Sequence, residues 1–175
     1  RVGAENNYIL NPSFEADRNA IPSNRKPVQE QLKGWTSEVI TGNKIANFDK
    51  HSPQLNYFNT LEDRRIVVGE KSLCLHDTIP FSRRVWQVVE SRPNIPLEDG
   101  TYTLTAMVRT EGTLTTSVMY AGEQIINIPA TNGEWQSLDS TEVEVKGGRI
   151  EVGFRAEGEA GARLLVDDVE MKKKQ

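Results

Sequence analysis

The chain has 175 residues, of which 37% are hydrophobic and 26% charged, a balance typical of a soluble globular protein and unlike that of a membrane span or a disordered chain. A formal net charge of −4 offers no basic field to neutralise phosphates, which removes the main driving term for nucleic-acid binding and favours neutral ligands. Cys74 is the single cysteine, so neither an intrachain disulfide nor a multi-cysteine zinc site can form, and no apolar run approaches the roughly 20 residues needed to cross a bilayer.

In chain order, compact apolar runs over Tyr8 to Leu10, Trp35 to Thr41, Lys71 to His76 and Arg83 to Glu90 predict strands. They are separated by two long polar connections, Ala16 to Gly34 and Gly42 to Arg65, the first with at most a short turn around Val28 to Leu32. Long connections without regular structure are uncommon unless they carry function. The second half is more regular. Tyr102, Leu104, Ala106 and Val108 alternate with Thr103, Thr105, Met107 and Arg109, and Ile150, Val152, Phe154 and Ala156 repeat the pattern. Leu114, Thr116, Val118 and Tyr120 alternate less cleanly. Turn sequences at Glu98-Asp99-Gly100, Ala121-Gly122-Glu123, Thr131-Asn132-Gly133, Lys146-Gly147-Gly148 and Gly158 to Gly161 punctuate these runs. No sustained 3.6-residue period is present. The expected fold is all-β: a two-sheet antiparallel β-sandwich with very little helix, in a single domain over residues 1–175.

Catalytic constellations are sparse. His51 and His76 are the only histidines and Gly-x-Ser-x-Gly is absent, which leaves a serine-hydrolase triad unsupported. Cys74 and His76 share one face of a strand, as side chains two apart do whether or not they interact. Nucleotide-binding glycine loops are also missing. In the last strand, alternation sets Leu165, Asp167, Val169 and Met171 on one face, with Asp168 opposite. A carboxylate aimed into apolar surroundings must be protonated, paired or bound to a cation. Asp168 and Glu15 can add the oxygen ligands that Ca²⁺ prefers; hydration or a backbone donor at a strand end is the other way to satisfy Asp167. The three carboxylates could in principle serve a glycosidase, but adjacent strand residues point to opposite faces, so Asp167 and Asp168 cannot jointly flank one scissile bond.

Asn11-Pro12-Ser13-Phe14-Glu15, Gly34-Trp35, Gly69-Glu70-Lys71-Ser72-Leu73, Trp86-Gln87, Gly100-Thr101-Tyr102-Thr103-Leu104, Gly133-Glu134-Trp135, Val152-Gly153-Phe154 and Val166-Asp167-Asp168-Val169 follow one another in this order. Together they resemble carbohydrate-binding modules with the galactose-binding-like jelly roll, as appended to bacterial polysaccharide-degrading enzymes. The resemblance implies first and last strands side by side and a structural Ca²⁺ near their shared end. Glu15, Asp167 or Asp168, and the backbone carbonyl of Lys71 would be its ligands. It also implies a secreted, periplasmic or cell-surface location in a larger glycan-active protein. The missing initiator Met points the same way, to a mature product or a piece excised from a longer chain.

Glycan binding requires flat apolar faces and planar polar side chains. The stretch Phe48 to Asn59 supplies both, with Tyr57 as the stacking residue, Phe58 beside it, and Asn56 and Asn59 as hydrogen-bonding partners. Thr105, Met107 and Arg109 could floor a groove. Trp86 is equally suited to core or platform, whereas Trp35 and Trp135, at strand starts, are expected to seal the core. Two functional readings follow. The first is a non-catalytic, monomeric glycan-binding module covalently attached to a catalytic domain; the second is a spacer or packing domain with no ligand of its own. An exposed aromatic in a concave site favours the first, and its absence the second.

Overall fold

The computed structural model describes residues 7–10, 12, 34–42, 54–57, 71–93 and 95–174. Among them are eleven strands: β1 (Thr36–Thr41), β2 (Gln54–Tyr57), β3 (Lys71–His76), β4 (Phe81–Glu90), β5 (Gly100–Glu111), β6 (Leu114–Ala121), β7 (Gln124–Asn127), β8 (Gln136–Ser137), β9 (Thr141–Val145), β10 (Arg149–Gly158) and β11 (Arg163–Lys173). They form two antiparallel sheets, a five-stranded sheet in the order β1-β4-β10-β6-β7 and a six-stranded sheet in the order β2-β3-β11-β5-β8, with β9 also paired to β5. The expected all-β sandwich is the fold observed.

The two cleanest alternations behave as predicted. Tyr102, Leu104, Ala106 and Val108 of β5 and Val152, Phe154 and Ala156 of β10 are buried between the sheets, and Trp35 packs on Phe154 at 6.1 Å between ring centroids. Each large side chain taken from water in this way contributes roughly 1.5–3 kcal/mol before the cost of ordering it.

Five sequence expectations need correction. Gln54–Tyr57, read as part of a long connection, is strand β2 at the edge of the six-stranded sheet. Trp135 lies outside the core and is only half buried. In β6 the residues turned inward are Met119 and Ala121, while Thr116, Val118 and Tyr120 face outward. The register slips between Glu157↔Thr116 and Gly158↔Leu114, which leaves Thr115 as an extra residue. A bulge of this kind shifts the phase of alternation.

The fourth correction concerns β11. Asp167 pairs with Met107 and Glu170 with Thr105, three steps on β11 against two on β5. The extra residue is taken up at Asp168, whose φ is +47°. Leu164 and Val166 therefore belong to the core before the bulge, and Val169 and Met171 after it. Leu165 and Asp167 stand on the opposite side from Val169 and Met171, not with them. Both are nonetheless 0% exposed, as is Cys74, which pairs with Leu165. That side of the six-stranded sheet is closed to water at these three residues, while Thr105, Met107 and Arg109 of β5 on the same side stay partly exposed.

Tyr8 to Leu10, expected as a strand, is not one, but the N-terminal segment does lie beside the last strand, as the resemblance implied. Tyr8 N–H donates to Met171 O at 3.0 Å and Val169 N–H to Pro12 O at 3.0 Å. The Asn7 amide donates to Val169 O and accepts from Met171 N–H. From the other sheet, the buried Gln87 side chain bonds both N–H and C=O of Leu10. These side-chain amides complete backbone pairing where the segment is too irregular to form a strand.

Candidate functional site

The outward residues of the five-stranded sheet follow from alternation: Arg84, Trp86 and Val88 on β4, Glu151 and Arg155 on β10, and Val118 and Tyr120 on β6, all partly exposed. Register aligns them across strands. Thr36 pairs with Trp86, Trp86 with Gly153, Gly153 with Tyr120, and Tyr120 with Ile125. One row thus crosses all five strands, about 19 Å at the usual strand spacing. Ile125, at its β7 end, is 66% exposed.

Gly153 sits in the middle of this row for a steric reason. A Cβ there would lie 2.7 Å from Trp86 Cβ and 2.7 Å from Tyr120 Oη. The two aromatic side chains close over the glycine and share one floor, which a larger residue would split.

A polar network borders the floor. The Arg84 guanidinium carbon lies 3.7 Å above the Trp86 ring centroid, a cation–π contact that also braces the indole. Arg84 Nη1 donates to Glu151 Oε2 at 3.2 Å and to Tyr120 Oη at 3.4 Å, and Tyr120 Oη–H donates to Glu151 Oε2 at 2.7 Å. Arg84 Nε lies 3.6 Å from Glu38 Oε1. Burial, then the hydrogen bond and negative charge of Glu151, push the Tyr120 phenol well above its ordinary pKa, so it remains a neutral donor. Farther along, hydrogen bonds from Thr116, Arg155 and Ser82 hold the Glu157 carboxyl below the usual range. Aromatic faces beside fixed charged donors and acceptors suit a flat, hydroxyl-rich ligand.

The predicted site residues fall on different surfaces. Trp86 is on the outer face just described. Arg109 is on the other sheet, where its side chain is 15% exposed and its Nε lies 3.0 Å from Glu111 Oε2; the two cannot line one groove. Of the floor expected beside Arg109, the Thr105 hydroxyl donates to Leu138 O and is committed to the fold. The backbones of Asn56 and Tyr57 lie on β2, paired with Ser72 and Lys71, while Phe58 and Asn59 lie outside the described residues, as does most of the Phe48 to Asn59 stretch. His76 Nδ1 is 3.0 Å from Ala162 O, and burial lowers its pKa.

Of the expected metal ligands, Asp167 and Asp168 lie at the β11 bulge. Lys71 begins β3, just beyond the Val166↔Leu73 pair of the β3–β11 ladder. Glu15 lies outside the described residues, three positions after Pro12, which is bonded to Val169. Among the described residues no three of His, Cys, Asp and Glu form a metal-holding group.

Arg84, Tyr120, Gly153 and Glu151 were not singled out from the sequence as site residues. Arg84 and Tyr120 are 36 positions apart and Arg84 and Glu151 67 apart, so only strand register unites them. The one local signal was Tyr120 in an imperfect alternation.

No family model matches the chain. Over 97% of its length it is 27% identical to a 1,6-alpha-glucosyltransferase of Sporosarcina globispora, of which it spans 12%. Among solved structures it is similar to a family 61 carbohydrate-binding module in complex with β-1,4-galactotriose, with a TM-score of 0.67, 19% identity, and coverage of 96% of this chain and 99% of that one. A family 16 carbohydrate-binding module gives a TM-score of 0.55 at 14% identity, covering 95% and 100% of the two chains. The chain has the two-sheet fold of carbohydrate-binding modules.

Proposed function

We propose that the chain is a non-catalytic glycan-binding module and that the outer face of its five-stranded sheet is the binding surface. The observation that carries this reading is the Trp86–Gly153–Tyr120 floor, bordered by the Arg84–Glu151 pair, on the sheet face that retains partly exposed aromatics. A domain serving only as a spacer has no use for an aromatic row on a solvent-facing sheet, where it costs solubility. The similarity to a segment of a glucosyltransferase, and the fold shared with modules that include one bound to galactotriose, support attachment to a larger glycan-active protein, for which the proposed location is secreted, periplasmic or at the cell surface. They make α-1,6-glucans and β-1,4-galactans the first ligands to try.

The test is a glycan array followed by titration calorimetry on the parent, Trp86→Ala and Tyr57→Ala. Loss of one stacked aromatic is expected to weaken binding by about three- to tenfold, in line with the roughly 0.5–1.5 kcal/mol of an aromatic contact. Tyr57→Ala, whose backbone belongs to the edge of the other sheet, should bind as the parent does. Unchanged affinity in Trp86→Ala would transfer the site to the Phe48 to Asn59 stretch with Arg109, and no binder at all would favour the spacer reading.

The same reading includes a structural Ca²⁺ at the β11 bulge. Asp167 is fully buried, Asp168 is beside it, and the Pro12 and Lys71 segments flank this part of β11. These residues fit an oxygen-ligated cation if Glu15 and backbone carbonyls complete the shell. When bound, the ion supplies positive charge that offsets the cost of burying a carboxylate.

A further inference from the structure

Next to the aromatic row is a cleft of about 490 Å³. One wall is the end of the five-stranded sheet, with Val88, Glu151 and the Gly122–Gln124 turn; the other comes from the opposite sheet, with Glu144 and Lys146 near the end of β9, and Arg149 closes it. Glu151 belongs to both places, because its carboxylate also accepts the Tyr120 hydroxyl and faces Arg84. Floor and cleft are therefore continuous.

Two features of the lining bear on its ligand. Among the described residues, Arg83, Arg84, Arg109, Arg155, Arg163 and Lys172 to Lys174 sit in ion pairs, whereas Lys146 and Arg149 do not; Arg92, also outside any ion pair, donates instead to Tyr8 O. Unpaired donors in a cleft are available to a ligand. The acidic groups Glu123, Glu144 and Glu151 line the same space, so the charges largely cancel and no net field selects an anion. Donors and acceptors facing each other match hydroxyl groups, which both give and accept hydrogen bonds.

We propose that this cleft is a second saccharide subsite, taking a neutral sugar unit next to the one stacked on the Trp86–Tyr120 floor, so that the module prefers internal stretches of a neutral chain to isolated sugars. This rests on the reading of the aromatic row as the glycan site. The experiment is titration calorimetry with isomaltose, isomaltohexaose, β-1,4-galactobiose and β-1,4-galactohexaose, on the parent, Lys146→Ala, Gln124→Ala and Trp86→Ala. Lys146 and Gln124 are exposed, and unchanged melting temperatures would show that their variants fold.

The hexasaccharide that binds should bind more tightly than its disaccharide. Lys146→Ala and Gln124→Ala should each weaken the hexasaccharide by about fivefold, the worth of one hydrogen bond, and leave the disaccharide unchanged; Trp86→Ala should weaken both. Raising salt from about 50 to about 500 mM should change the affinity by less than about twofold, since no charge on the ligand is being read. In the parent, the hexasaccharide but not the disaccharide should shift the amide resonances of Gly122 and Gly148. Loss of binding in Trp86→Ala with none in the cleft variants, and no shift at Gly122, would overturn the second subsite while sparing the first. An unaffected Trp86→Ala overturns the aromatic floor itself, and failure of all four sugars overturns both.

Discussion

At Gly153 a single hydrogen atom decides whether two aromatic rings can meet. Because the space its Cβ would need is already filled at 2.7 Å by Trp86 Cβ and by Tyr120, Gly153→Ala is expected to destabilise the fold by about 1–3 kcal/mol, the usual cost of overpacking. Urea unfolding checks this, and an unchanged midpoint would mean that the rings part freely. Tyr120 offers a test by pH. Its phenol is raised above the ordinary value of 10 by burial and by Glu151, so the folded state favours the protonated form. That stabilisation is fully present below the unfolded pKa near 10 and is lost as pH rises toward the folded one. Tyr120→Phe, expected to be about 1 kcal/mol less stable at neutral pH through loss of its hydrogen bond to Glu151, should close the gap on the parent as pH climbs past about 10. Parallel stability curves would argue that Tyr120 does not titrate differently in the two states.

Strands obey local pattern only while their pairing stays in register. In β4 the alternation is interrupted by Arg83, fully buried and bonded through Nη2 to Asp77 Oδ2 at 3.0 Å, with Nε and Nη1 lacking a hydrogen-bond acceptor. Such a pair gains little overall, but removing the guanidinium takes away the countercharge of Asp77, whose Oδ1 keeps the Thr78 N–H at 2.7 Å. Arg83→Met should therefore cost about 3–5 kcal/mol, whereas the double variant Arg83→Met/Asp77→Asn should recover most of it. Equal stability of single and double variants would show that Asp77 tolerates the loss of the Arg83 charge. The same dependence on register explains what the sequence revealed. β5 and β10 show their buried faces openly because Tyr102 to Val108 and Val152 to Ala156 contain no bulge. β6 and β11 hide theirs because an extra residue at Thr115 and another at Asp168 reverse the phase partway along. Trp86 could be identified as a candidate from its own strand, but its partners could not: Gly153 and Tyr120 reach it only through the β4–β10–β6 ladder.

On the scale of the whole molecule, Ca²⁺ binding would couple the N-terminal segment to the bulge of β11. A cation held only by the folded form raises the melting temperature with its concentration. Adding Ca²⁺ to a chelator-stripped sample should therefore raise it by several degrees, and Asp167→Asn should lose most of that response. No change on adding Ca²⁺ back would remove the metal from the account, and Asp167, whose Oδ1 already accepts the Asp168 N–H at 2.8 Å, would be held by protein groups alone.

The position of β11 has a consequence for how the chain is made. It lies between β3 and β5 in the six-stranded sheet, yet it is the last of the strands to be synthesised. Lys71 to His76 and Gly100 to Glu111 must wait as unjoined edges until residues 163–173 have emerged. With about 100 residues between the start of β3 and the end of β11, translation at roughly 5–20 residues per second leaves the β3 edge open for about 5–20 s and the β5 edge, whose end lies about 60 residues ahead of that of β11, for about 3–12 s. Until then the backbone groups of β3 and β5 that β11 will pair with are left to water.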